Sequence, residues 1–161
     1  MTKVHAFALC AALLSQLAQA EDSSAVDQRF FLDAADCAAA LEARVIDRQT
    51  QARTAARDEA MLRDVEHGFV FIGVAYKRGL RNPQADDMLH AAEKRWSALS
   101  KADKEARLAS CTSQGLRLMD EVSMLERFIV RNRASARLDR LLEKERERDK
   151  DKAPGTAHDK P

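Results

Sequence analysis

Apolar positions are spaced at the helical period of about 3.6 residues over most of the chain. Phe31, Ala34, Ala35, Ala38, Leu41 and Val45 form one such stripe, with Cys37 at its edge. Ser24-x-x-Asp27 has the form of a capping box, which predicts a helix start there. No Gly or Pro occurs between Glu21 and His67, so nothing interrupts the helix. Between Asp47 and Glu59 the stripe dissolves into Arg, Gln, Thr and Ala, a pattern open to either a solvated helical extension or a connection.

The pattern resumes at Ala60. Met61, Val65, Phe69, Ile72, Tyr76 and Leu80 step by three or four, while Phe71 and Val74 cover a second face, so this helix is expected to be central. The run FVFIGV at 69–74 is β-prone, but no partner strand pattern exists and an isolated strand leaves its edges unpaired. Gly73 inside a helix costs up to about 1 kcal/mol against Ala, and close approach of a neighbouring helix is the expected compensation. Gly79 and Asn82-Pro83 end the element. A third helix is expected over 85–98, with Met88, Leu89, Ala92, Trp96 and Leu99 inward. Ser100-x-x-Asp103, a second capping box, opens a long fourth helix reaching Leu142. Along it Leu118, Val122, Leu125, Ile129, Asn132 and Ala136 make a near-heptad seam, and Gly115 either bends the helix or lets it pack closely.

The expected fold is therefore all-α, a four-helix bundle-like array. Residues 1–20 are expected to be a signal peptide, 21–142 the helical domain and 143–161 a charged tail. Glu143–Arg146 and Glu147–Lys150 pairs extend the last helix into solvent, with disorder expected from Pro154. The first segment carries Lys3 and His5, the apolar run from Ala6 to Leu14, and a small–x–small site at Ala18-Gln19-Ala20. The apolar run is too short for about 30 Å of hydrocarbon, so cleavage after Ala20 is expected to leave no transmembrane anchor. Cleavage removes Lys3 and Cys10. Arg outnumbers Lys two to one, a bias common in high-GC bacterial genomes, which favours the periplasm.

Cys37 and Cys111 then remain as the only cysteines, and in an oxidising compartment two thiols imply one disulfide, here joining the first and last helices. It would close a loop of 74 residues. The chain-entropy model assigns such a loop roughly 4–4.5 kcal/mol.

The formal net charge of +1 excludes a strongly basic nucleic-acid binder, and no nucleic-acid partner is expected. No GxSxG, HExxH, CxxCH or phosphate-cradling glycine loop occurs. Asp86, Asp87, His90 and Glu93 share helical spacings that can begin a metal site, yet no other helix offers a matching Glu-x-x-His. His67 and His158 stand alone. No catalytic, cofactor or metal residues are assigned, and an enzyme is not expected. The best surface feature is the basic cluster Arg127, Arg131, Arg133, Arg137 and Arg140, a candidate interaction face for an anionic surface or an acidic protein. The bland alternative is a solvated face of exposed ion pairs.

The stretch GFVFIGVAYKRGL at 68–80 resembles, in outline, the glycine–aromatic segment of the Rap/Tai family of periplasmic immunity proteins, through Ile72-Gly73 and Tyr76. That resemblance implies a small helical envelope protein that neutralises a secreted toxin; the further cysteines of that family are missing here. The residues themselves point to a non-catalytic periplasmic protein acting through contact with an envelope protein. A small-ligand or metal-binding bundle is the alternative. A cavity lined jointly by Phe69, Tyr76 and Trp96 would favour the ligand reading, and a surface patch would favour contact.

Overall fold

The structure, a computed structural model, describes the backbone of residues 6–152 and the side chains of residues 25–150. Lys3, His5 and the segment from Pro154 lie outside the described residues, as do the side chains of the cleavage site. Five helices follow one another: α1 (Ala6–Gln49), α2 (Ala55–Lys77), α3 (Gln84–Ala98), α4 (Lys101–Glu121) and α5 (Met124–Lys152). Among the described residues there is no strand, and the FVFIGV run is helical within α2. None of these residues forms a helix long and apolar enough to cross a membrane.

Each boundary has a local cause. The undecided 47–59 stretch divides: α1 runs to Gln49, residues 50–54 connect, and Thr54 caps α2 by accepting from the Arg57 amide. Gly79, at φ +112°, occupies the left-handed region that favours glycine just past the end of α2. Ser100 accepts from the Asp103 amide at 3.2 Å, as its capping box predicts.

The expected fourth helix is two helices. Val122 is extended at φ −70° and ψ 150°, and α5 starts afresh behind Ser123. The Ser123 hydroxyl accepts from the Glu126 amide, and the Glu126 carboxylate accepts from the Ser123 amide at 2.8 Å. This is a complete capping box that the near-heptad seam concealed. The bundle is therefore a five-helix array, and the disulfide joins the first helix to the fourth, not to the last. Cys37 and Cys111 are bonded with Cα atoms 5.2 Å apart. Ser24 begins no helix either, since α1 passes through it without a break.

Helix α2 is central, packed by α1, α4 and α5, while α3 lies on α1. One core cluster gathers Phe31, Ala34, Leu41, Phe71 and Ala75 around the disulfide. A second joins Val45, Met61 and Val65 to Ala134, Leu138 and Leu142 of α5. A third joins Val70, Met119 and Val130. Full burial of side chains such as Phe71, Leu41 and Met61 is worth about 1.5–3 kcal/mol each. The face of α5 that supplies Val130, Ala134, Leu138 and Leu142 is not the expected seam: Leu125, Ile129, Asn132 and Ala136 are exposed.

The two mid-helix glycines differ. A Cβ on Gly115 would lie 2.8 Å from His67 Cβ and Cγ, so α4 packs closely on α2 there. Gly73 meets nothing within 4 Å and is exposed, so no helix approaches it and the expected compensation is not found.

Candidate functional site

The inner charges of the bundle are paired. Asp64, on the buried side of α2, accepts from Arg44 Nε at 2.9 Å and Arg44 Nη2 at 2.5 Å, and lies 3.3 Å from Arg48 Nε. The same Arg44 Nη2 donates to Thr112 Oγ1 at 2.9 Å, which ties α1, α2 and α4 together. A carboxylate gripped in this two-pronged way is a fastening, not a free base. One turn along, His67 is buried against Gly115, and its Nδ1 has no partner. Burial lowers its pKa below the ordinary 6.5, Asp64 opposes that shift, and Arg44 and Arg63 add to it.

A second fastening holds the far end of α5. The guanidinium of Arg57, its side chain 3% exposed, donates to both carboxylate oxygens of Glu145 at 2.8 and 2.9 Å, to Asp58 Oδ1 and to the Gln51 carbonyl. The hydrogen bonds to Arg57 hold the Glu145 pKa below the carboxylate range. At the near end, Lys77 Nζ donates to Glu126 at 2.8 Å; with the Ser123 hydrogen bonds this takes the Glu126 pKa down to about 2.

Clefts open between the helices. One of about 300 Å³ lies among α1, α2, α3 and α5 and is lined by Phe69, Val45 and Gly68 with Glu42, Asp64 and Arg137 at its polar side. A neighbour of about 220 Å³ contains Tyr76, Met88 and the small alanines of α1. A third cleft of about 110 Å³ lies between Gly73 and Ile129, and a fourth of about 90 Å³ contains Trp96. Phe69 and Tyr76 therefore line two adjoining clefts and Trp96 lines another apart from them, so the three do not line one cavity jointly.

The residues singled out from sequence fall in different places. His90 is exposed and lies 3.6 Å from Glu93, while Asp86 lines the second cleft. Among the described residues no group of three His, Cys, Asp or Glu is placed to hold a metal ion. The arginines of α5 separate into two sets. Arg127 turns back to the Asp120 carbonyl, Arg131 approaches Glu66 at 4.0 Å, and Arg137 pairs with Glu42 of α1. Arg133 and Arg140 stay exposed, with no ion pair among the described residues.

Sequence reasoning missed the surface that stands out most. Met124, Leu125, Phe128 and Ile129 occupy the first two turns of α5 and are 88%, 69%, 61% and 43% exposed. The spacing of Leu125 and Ile129 was legible as part of the heptad-like seam, whereas Met124 and Phe128 lay outside it, and behind the break at Ser123 all four face outward. A contiguous apolar surface of this kind marks an interaction site more often than isolated exposed residues do. Asp64, Arg57 and Glu145 were also missed, because single charges in polar stretches carry no periodic signal.

No family model matches the chain, and no curated protein or solved structure is similar to it.

Proposed function

We propose that this is an exported, non-catalytic helical protein of the periplasm that acts by contact, and that the outward face at the start of α5 is its contact surface. The observation that carries the reading is the run Met124, Leu125, Phe128 and Ile129, exposed on a helix whose opposite face is already buried. Arg133 and Arg140 continue that side of α5 and add a basic rim. An apolar centre with a polar, Arg-containing rim is the ordinary anatomy of a protein contact. The apolar segment at 6–14, the Ala18-Gln19-Ala20 site and a disulfide that needs an oxidising compartment support export.

Affinity capture from an envelope extract tests the reading with two variants. Leu125→Ser with Phe128→Ser is expected to abolish capture, and Arg133→Glu with Arg140→Glu to weaken it, both with unchanged melting temperature. Undiminished capture by the first variant overturns the assigned surface. N-terminal sequencing of the periplasmic protein is expected to begin at Glu21.

One observation favours ligand binding as a second reading. The clefts of about 300 and 220 Å³ share Ala38, Ile72 and Leu89 and so adjoin in one mostly apolar groove. A single-chain amphiphile that raises the melting temperature, with the rise lost in Ala38→Phe, would support it.

A further inference from the structure

We propose that the partner of the α5 contact surface is a second copy of this chain, docked through a parallel pairing of the two α5 helices. The inference rests on the contact reading above and names its partner. Leu125, Ile129, Asn132 and Ala136 are spaced by four, three and four residues, the repeat of a two-stranded helical seam. On a helix these four positions fall within a sector of about 60°. Val130, Ala134 and Leu138 lie on the opposite side and are buried against the chain's own α1 and α2 residues Val45, Met61 and Val70. All four seam residues are exposed. The helix therefore has two apolar faces: the fold uses one and leaves the other free among the described residues.

The composition of the free face matches a copy of itself. In parallel register Leu125 meets Leu125, Ile129 meets Ile129, and the two Asn132 amides meet and hydrogen-bond to each other. The spacing puts Ile129 at an a position and Leu125 at a d position, the combination that favours a two-stranded parallel pair, and Asn132 at the next d, where its amide must find a partner to be buried. The antiparallel register that aligns the same four positions sets Ile129 against Asn132 and Leu125 against Ala136, which buries both amides without their mutual partner. In the parallel pair the flanking Arg133 stands beside Phe128 of the second copy, a cation over an aromatic face, and Arg140 beside Ser135. No like charges oppose each other until Asp139, where the seam ends. Four large side chains over two turns make a surface small against the about 800 Å² per partner of a standard interface. The dimer is accordingly weak and reversible.

Sedimentation equilibrium of the mature protein is expected to show a reversible monomer–dimer equilibrium. Leu125→Glu with Ile129→Glu is expected to weaken it at least a hundredfold without changing the melting temperature. Both sites are exposed, so the variant keeps its fold. Ala136→Cys is expected to oxidise to a covalent dimer, because the two 136 positions meet only in parallel register. A protein that stays monomeric to millimolar concentration, or a dimer indifferent to the double Glu variant, overturns the proposal. A dimer lost in that variant but never cross-linked through Cys at 136 overturns the parallel pairing. Phosphatidylglycerol vesicles test the remaining occupant: binding by a monomeric protein, lost in the double Glu variant, assigns the face to an anionic lipid surface and overturns self-docking. If the chain is monomeric, capture from an envelope extract decides the contact reading separately: proteins lost in the double Glu variant keep that reading with another partner, and undiminished capture overturns it as well.

Discussion

The bundle around the disulfide and the long helix α5 are held by different means. In the first, Cys37–Cys111 ties α1 to α4, Phe71 and Leu41 are sealed beside it, and His67 fills the space that Gly115 leaves. The tie at the disulfide is covalent, and the approach at Gly115 is too close to admit one more carbon. Helix α5 has no covalent tie. It lies on α2 by a stripe of Val130, Ala134, Leu138 and Leu142, fastened at one end by Lys77–Glu126 and at the other by Arg57–Glu145, with Arg137–Glu42 between. The first region is sealed at the disulfide and opens only into the cleft beside Phe31 and Ala75 among the described residues, while α5 is bound on one side and apolar on the other. On the proposed contact reading the difference separates scaffold from working surface: the stapled bundle fixes the fold, and α5 is displayed on it.

Removing the staple is the largest expected break. Cys37→Ser is expected to lower unfolding free energy by about 2–5 kcal/mol, measured by urea denaturation. Because α5 is mounted on α2, contact should fall in step with stability. A loss below about 0.5 kcal/mol would show that packing alone closes the bundle.

Unfastening α5 is expected to act more locally. Glu145→Ala leaves the buried Arg57 with Asp58 and the Gln51 carbonyl only. A loss of about 1–3 kcal/mol follows, and hydrogen exchange should quicken in the last turns of α5 while the amides around Cys37 and Cys111 stay protected. Uniform quickening would mean the two regions unfold as one.

The smallest effect is a pH dependence confined to the bundle. The native pKa of His67 lies below its ordinary 6.5. Between those two values the unfolded chain binds more protons than the native one, so stability rises with pH there and falls on acidification below 6.5. His67→Gln is expected to flatten this slope in melting curves between about pH 7.5 and 5.5. An unchanged slope would assign it to other groups.

What the sequence made legible follows the same division. Helical stripes placed α2 and α3 to within about a turn, whereas α1 does not begin at the Ser24 capping box. Phe31 to Val45 supplies one buried face, but in the Met61 to Leu80 stripe Ile72 is exposed and Phe69 and Tyr76 are half-buried. Cysteine counting found the bond, but its place in the fold depended on a break at Ser123. There a capping box outweighed an apolar repeat that runs on through it, because capping two amides needs only two residues in register. The fastenings were invisible, since Arg57 and Glu145 are 88 residues apart and only the fold brings them together. The arginines of α5 looked like one face in sequence, whereas the helix turns Arg131 and Arg137 toward Glu66 and Glu42 and leaves Arg133 and Arg140 outside.

The central claim is that α5 packs with one face and makes contact with the other, and a matched pair of leucines tests it most directly. Leu138 is 8% exposed on the inner face, and Leu125 is 69% exposed on the outer. Leu138→Ala is expected to cost about 2–5 kcal/mol as a core truncation, with contact falling in step. Leu125→Ala is expected to stay within about 0.5 kcal/mol of the natural chain and still lose most of the contact at full stability. Equal losses of stability in the two variants, or full contact by Leu125→Ala, would contradict the account.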